Sequence, residues 1–496
     1  MNRHGTTTIF STPRNAARAR VLATIAGLLL GGTAAAAADL GSGCCADLEE
    51  RIAELEATTV RAGGRKMSLQ ITGQVSHVIM AWNDGAEKNV YVQENAQSQN
   101  RIGFQGKARI NSEWSAGFRL EFQPRAYRSS FANQLALGAS NGQTITAYNT
   151  GSASIRHAHW VIESPTYGTF TVGRNFEAAF GTSTISLVNP DGFSGMNGPG
   201  FANAGFFVRR AGGDRALSAL TWQNFAYIRN GDGPTPMDYA HTNSSVRYTT
   251  PFLFGRTKTS GLQLSANWGM DDAWTAAVRY AEDFGTFRVA AGFGYSGWTG
   301  IDRGMCSLGA ATGTVVLPET GSNLSCYGIQ DSASILHAAT GLYVSGGGAQ
   351  MTDNNASAAL LARSAGVTGN ADNSSGAWWL QLGWQARLNG LGNTIFWGQY
   401  VEYNTGLGVN NNLLQTVAAN DSINSFSAPA FLTGTRTGVW GGGVSQEITA
   451  AAMTLYAGFH TYSTEGTLMN VATGVTRKAN AIDDMQVLYT GATIRF

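Results

Sequence analysis

The chain has 496 residues, 63 of them Gly, and only 13% are charged, against roughly a quarter in ordinary soluble domains. A formal charge of +1 gives no support for nucleic-acid binding. After the amino-terminal apolar run, no stretch approaches the roughly 20 apolar residues that a membrane helix needs, which excludes a helical membrane protein.

Arg14, Arg18 and Arg20 precede the apolar run VLATIAGLLL, Val21 to Leu30, and the small residues of GGTAAAAAD follow. This order predicts a secretory signal peptide over residues 1–38, cleaved near Ala38. Its removal takes four arginines and no acid, moving the formal charge from +1 to −3. The stretch LGSGC before Cys44 is a rival lipoprotein cleavage site, but its spacing is wrong and it lies well beyond the apolar core.

Residues 39–66 form a short amino-terminal segment. In CCADLEERIAELEATTVR, Cys45, Leu48, Ile52, Leu55 and Thr59 recur at spacings of three and four, the seam of a short periplasmic coiled coil. Two heptads are marginal alone. They are expected to hold only where something else already gathers several copies; the other reading is a frayed amphipathic helix that packs nowhere.

From Met67 the period becomes two. In RIGFQGKARI, Ile102, Phe104, Ala108 and Ile110 share one face, and Arg101, Gln105, Lys107 and Arg109 share the other. WSAGFRLEF sets Trp114, Phe118, Leu120 and Phe122 against Arg119 and Glu121, and GLQLSANWG, WTAAVRY and GTFRVAAGFGYS repeat the alternation with aromatics near strand ends. The last segment, MQVLYTGATIRF, aligns Leu488, Thr490, Ala492, Ile494 and Phe496 on one face. Apolar outside and polar inside, with aromatic girdles, predicts a transmembrane antiparallel β-barrel over residues 67–496 in the outer membrane.

Strand parity tests the count. Strands are expected near 67–81, 101–111, 113–123, 154–163, 168–174, 243–251, 261–269, 273–282 and 285–297. One strand through SASILHAATGLYVS would place the short turn NGLGN outside and the long 405–434 segment in the periplasm. A break at Ala339-Thr340-Gly341 restores the alternation, giving strands near 329–338, 341–347, 377–388, 393–404, 435–447, 451–463 and 482–496. The all-β barrel then has sixteen strands and a water-wide lumen. The long gap from residue 175 to 242 follows the fifth strand at its outer end, and such loops are usually functional; folded inward, it would narrow the pore.

Cys306 and Cys326 share one Gly-rich segment and could close an extracellular disulfide in an oxidising compartment, or remain two free thiols. No cysteine or histidine spacing implies a metal, and no cofactor motif is present. A hydrolase would need a serine in a nucleophile context beside a histidine. His157 and His159 lie on one face without such a serine, while His337 and His460 stand apart; wall positions are the simpler reading, and no enzyme is expected.

The segment SIRHAHWVIESPTYGTFTVGRNF, Ser154 to Phe176, resembles the strand-turn-strand before the constriction loop of Gram-negative general porins. NSSVRYTTPFLFG, the coiled-coil opening and Phe496 are similar to the porins of α-proteobacteria. The resemblance covers essentially residues 44–496 and implies a homotrimer of sixteen-stranded diffusion pores, each narrowed by its third loop. It also implies contact with outer-membrane lipid and lipopolysaccharide, insertion by the barrel-assembly machinery reading Phe496, and passage of small hydrophilic solutes. Members carry wall arginines facing acids on the loop. By position Arg174 matches the arginine after the family's Gly, and Arg247 lies on the next wall strand. Glu177 and Asp191 are acids in the expected loop, and Arg209 and Arg210 are further candidates. The acid-rich loop tip of the enteric members is absent, so strong cation selectivity is not implied.

Arg101, Lys107, Arg109, Arg119, Arg279 and Arg288 all fall on the non-lipid parity of their strands. A guanidinium on the lipid side at the midplane costs roughly 2–4 kcal/mol, so these side chains are expected to line the lumen. A general pore is the primary expectation. The alternative is a substrate-specific channel for sugars, amino acids or anions, which would use aligned aromatics or a dense basic ladder; neither is legible in the sequence.

Overall fold

The first long strand pairs with the last, and that pairing decides the architecture. A computed structural model of the chain describes residues 59–62, 65–124, 128–135, 153–226, 229–230, 233–234, 242–269, 273–299, 325–354, 373–406 and 416–496. Strand β1, Arg65–Asn83, bonds in antiparallel register to β16, Met485–Arg495, from Gln74↔Arg495 to Asn83↔Gln486. Between them, among the described residues, lie β2 in two pieces (Lys88–Glu94 and Arg101–Arg109), β3 (Ser115–Pro124), β4 (Ala153–Ser164), β5 (Gly168–Phe176), β6 (Thr242–Thr249) and β7 (Gly261–Gly269). The circuit continues with β8 (Trp274–Asp283), β9 (Phe287–Thr299), β10 (Ser325–His337), β11 (Leu342–Asp353) and β12 (Ser374–Asn389). It closes through β13 (Gly392–Gly406), β14 (Ala430–Ile448) and β15 (Met453–Asn470). Each strand pairs antiparallel with its neighbours. The result is a closed barrel of sixteen strands, and closure leaves no unpaired edge for lipid to face.

The expected break is present: β10 ends at His337 and β11 begins at Leu342, with Gly341 at φ 74°, a left-handed turn position that glycine takes without strain. The second strand differs from expectation. After β1 the chain turns at once and returns as Lys88–Glu94 along the upper half of β1, passes residues 95–100 across, and resumes as Arg101–Arg109 along its lower half. At the amino-terminal side, Thr59–Ala62 pairs with residues 65–68. Thr59 therefore lies in a strand, not at the last seam position of a helix, and the extended region starts before Met67. The rest of the expected coiled coil, the signal peptide and Cys306 lie outside the described residues, as does the side chain of Cys326, so the cysteine pairing does too.

Outer faces carry Ile71, Val75, Leu264, Val278, Phe293, Ile329, Leu380 and Leu382, all exposed. So large an apolar surface is not sustainable in water. It is bounded above by Trp268, Trp274, Tyr327, Trp378 and Tyr400 and below by Tyr248, Phe287, Trp384 and Phe396. Along β9, from Phe287 to Tyr295, the band spans roughly 26 Å of strand at about 3.3 Å per residue, or about 20 Å of height at the tilt of about 40° usual for such strands, the scale of an outer-membrane apolar band. The chain is a multi-pass outer-membrane β-barrel. No helix among the described residues is long and apolar enough to cross a membrane; strands do the crossing.

The inner face departs from the polar-inside expectation. On β13–β16, Trp397, Val401, Tyr403, Val439, Tyr456, Tyr462, Val487 and Tyr489 are buried, although their parity points away from lipid. They pack against residues 193–225, which supply Phe193, Met196, Phe206, Trp222 and Phe225 to one apolar cluster. The reason is the segment between β5 and β6. Part of the barrel's interior is a protein core, so inward side chains there follow core rules and not channel rules.

Candidate functional site

The segment after β5 travels round the inside of the wall, and small polar wall residues hold its backbone. Ala178 N–H donates to Asn267 Oδ1 at 2.5 Å, against β7. Ile185 N–H donates to Ser332 Oγ at 2.7 Å and Leu187 N–H to Ser334 Oγ at 3.0 Å, against β10. Trp379 Nε1 donates to Ser183 O at 2.9 Å from β12, and Gly195 N–H donates to Gln399 Oε1 at 2.8 Å from β13. Tyr462 OH then reaches Pro199 O at 2.8 Å, and Thr437 Oγ1 reaches Phe225 O at 3.0 Å. Each such bond contributes about 0.5–1.5 kcal/mol net, so the chain of them fixes the segment along β7–β16. Space is left chiefly beside β2–β6.

That remaining wall carries the arginines. Arg101, at the start of the lower part of β2, donates from Nη2 to Gln74 Oε1 at 2.6 Å. Arg119 on β3 and Arg156 on β4 both hold the Glu121 carboxylate, the second at 2.8 Å. Arg156 reaches inward because the β3–β4 register slips by one residue beside Glu121, a bulge that places one additional residue on β4. Arg174 turns inward for a different reason. Phe170 is exposed on the outer face, so unbroken alternation would send Arg174 outward too, but Gly173 at φ 122° lies between them. A Cβ on Gly173 would sit 2.4 Å from Ala158 O. Beyond it Arg174 and Phe176 both line the lumen, and Arg174 Nε donates to Ile155 O at 2.8 Å. Arg247 on β6 donates from Nη1 to Phe176 O at 3.1 Å and from Nε to Thr249 Oγ1 at 3.1 Å.

A cavity of about 430 Å³ separates this wall from the inward segment; Arg101, Arg156, Arg174, Asp191, Phe176 and Phe180 line it. Below, towards the periplasmic end, lies a second of about 510 Å³, lined by Gln70, Gln105, Lys107, Arg119, His159 and Glu163. The two mark a polar track down one side of the barrel.

Asp191 faces the cavity but is bound in both oxygens by Arg495, at 2.8 and 3.0 Å. Glu121 is likewise shared by two arginines. Among the described residues, Arg101, Arg174 and Arg247 have no ion pair with an acid. Positive charge therefore exceeds negative along the track, and a low-dielectric passage strengthens that excess for a solute inside it.

The remaining candidates distribute as follows. Lys107 pairs with Glu163 below the first cavity. Arg109 donates to Asn111 O and Arg288 pairs with Asp283, both at the periplasmic rim. Arg279 donates to Phe180 O and so steadies the inward segment. Glu177 is buried and does not line the cavity. Arg209 is buried in a pair with Asp84 at 2.9 Å and Glu87 at 2.8 Å at the outer mouth, and Arg210 pairs with Asp214 at 2.7 Å; neither lines the two cavities. The sequence reading missed Arg156, Glu121 and Arg495. Glu121 and Arg495 left a signal, Glu121 by sharing the non-lipid parity of Arg119 in WSAGFRLEF and Arg495 by a parity that opposes Ile494 and Phe496; Arg156 left none. The structure also aligns a basic ladder and brings together an aromatic pair, Phe176 on Phe180 at 3.8 Å, where the sequence reading found neither. Phe496, the expected assembly signal, bonds to Gly73 on the seam of closure.

No protein-family model matches the chain, and no curated protein matches it. Among solved structures it is similar to an anion-selective porin from Comamonas acidovorans, at 12% identity and TM-score 0.49, over 87% of this chain and 100% of that one. OmpT, an outer membrane protein of Vibrio cholerae folded in vitro, gives 11% identity and TM-score 0.46 over 88% and 99%. OmpF of Salmonella typhi, in complex with daunomycin, gives 13% identity and TM-score 0.42 over 88% and 100%. Likeness at this level carries no argument about selectivity; the barrel stands on its own strand registers.

Proposed function

We propose that the chain is a passive diffusion channel for small hydrophilic solutes, with a preference for anions. The carrying observation is the set of arginines along β2–β6, Arg101, Arg119, Arg156, Arg174 and Arg247, faced by acids that are already in ion pairs. A channel conducts when its sites attract an ion without holding it. Guanidinium groups spread over five strands at different heights satisfy that better than one deep pocket. Single-channel recording in a planar bilayer with a potassium chloride gradient tests the reading: the reversal potential should lie on the chloride side of zero, and a cation-side value would overturn it.

The sequence resemblance supports a homotrimer of independent pores related to α-proteobacterial porins, set among lipopolysaccharide and outer-membrane lipid and inserted by the barrel-assembly machinery. Three equal closing steps in the same recordings would fit a trimer. The basic ladder favours the narrower, anion-selective form of channel over an unselective pore.

A further inference from the structure

We infer that the constriction favours aromatic carboxylates over aliphatic ones; the inference rests on the anion reading above and names the solute class of that same site. The aromatic rings of the inward segment divide into two kinds. Phe193, Phe206, Trp222 and Phe225 are fully buried against the wall of β13–β16 and β1. Phe176 and Phe180, at the root of the same segment, are not: both keep part of their surface open and both line the 430 Å³ cavity.

Apolar surface left in a water-filled passage is unfavourable unless something apolar passes over it. The two rings stack at 3.8 Å and 5°. The Arg156 guanidinium lies 4.9 Å from the Phe176 centroid, and His157 stands at 87° to the same ring with centroids 4.5 Å apart. Phe201 adds a further ring to the cavity lining. Arg101 and Arg174, neither ion-paired, line the same cavity.

A solute in this space thus meets guanidinium donors together with the open part of the Phe176 and Phe180 ring surface. Guanidinium forks match a carboxylate in geometry and charge. Ring faces gain from offset or edge contact with another ring beyond what simple burial gives. Chloride or acetate uses only the first of these, and a neutral aromatic only the second. A planar aromatic acid such as benzoate uses both, and its size is well within the cavity.

The test uses the full-length protein in planar bilayers, with benzoate, acetate and cyclohexanecarboxylate as probes. Benzoate should depress chloride current at about three- to tenfold lower concentration than acetate, the range expected for one added ring contact, with cyclohexanecarboxylate between them. Phe180→Leu should remove most of the benzoate advantage, whereas Phe254→Ser, on an exposed periplasmic turn, should leave it in place. If benzoate and acetate act alike while chloride remains preferred over potassium, the aromatic inference is overturned and the anion reading stands. If potassium is preferred, the anion reading fails first. Should Phe180→Leu not assemble, the comparison of benzoate with cyclohexanecarboxylate in the unmodified channel still decides: equal action rules out a ring contact.

Discussion

Phe496 and Gly73 hold each other by two backbone hydrogen bonds, Gly73 N–H to Phe496 O at 2.8 Å and Phe496 N–H to Gly73 O at 3.0 Å. The ring lies over the glycine so closely that a Cβ there would stand 2.4 Å from Phe496 Cζ. Phe496 thus lies on the seam of the barrel and covers a wall position whose glycine has no side chain to resist it.

Two variants separate the seam from the ring. Deleting Phe496 removes both hydrogen bonds and the cover, and should sharply lower the yield of assembled barrel. Gly73→Val keeps Phe496 but forces its ring away, and should give an intermediate yield. Quantifying the heat-modifiable folded band in outer-membrane fractions checks both. Normal yield from the deletion would show that the seam closes without it.

The inward segment should behave as core. Trp222 is fully buried and packs on Tyr462 at a centroid distance of 5.8 Å. Trp222→Ala should cost about 3–5 kcal/mol, as large aromatic truncations in packed cores do, seen as a lower unfolding midpoint in denaturant. Single-channel records of the same variant should become noisier, because the segment that bounds the track has lost an anchor.

How much of this was legible depends on which rule each residue obeys. Lipid imposes one rule on every outward position, so alternation along Phe287, Val289, Phe293 and Tyr295 revealed strands, and parity at Ala339-Thr340-Gly341 revealed a turn. The inner face answers to whatever fills it. Tyr456, Tyr462 and Tyr489 face a protein segment whose path no local pattern encodes, and Ser332 and Ser334 do not announce that they hold a distant backbone. The ladder was hidden for a related reason. Its arginines lie on five strands, and two of them, Arg156 and Arg174, reach the lumen through a bulge and a left-handed glycine that break the period on which sequence reading relies.

Asp191 is the acid of the inward segment that lines the first cavity, and Arg495 occupies both its oxygens. Asp191→Asn should free Arg495 and make the channel more anion-preferring, moving the reversal potential further towards chloride. Glu177→Gln should have a smaller effect, because Glu177 is buried away from the cavity. An equal or larger shift from Glu177 would mean that the field in the track is set from behind the loop.

Arg174 offers the sharpest test of the ladder, because its place depends on Gly173 and its charge on nothing acidic nearby. Arg174→Gln removes one positive charge from the cavity lining and retains a side chain able to donate to Ile155 O, so the strand pairing with Ala158 and Ser244 should persist. Chloride preference should fall, and Arg156→Gln should lower it at least as far, since that change removes the same charge and also releases part of Glu121's negative charge. Both shifts should shrink as salt rises, because the screening length falls from about 10 Å at 0.1 M to about 3 Å at 1 M. Arg209→Gln, whose charge is spent on Asp84 and Glu87 at the outer mouth, should leave the reversal potential nearly where it was. If Arg209 shifts it and Arg174 does not, the filter lies at the mouth and not beside Gly173.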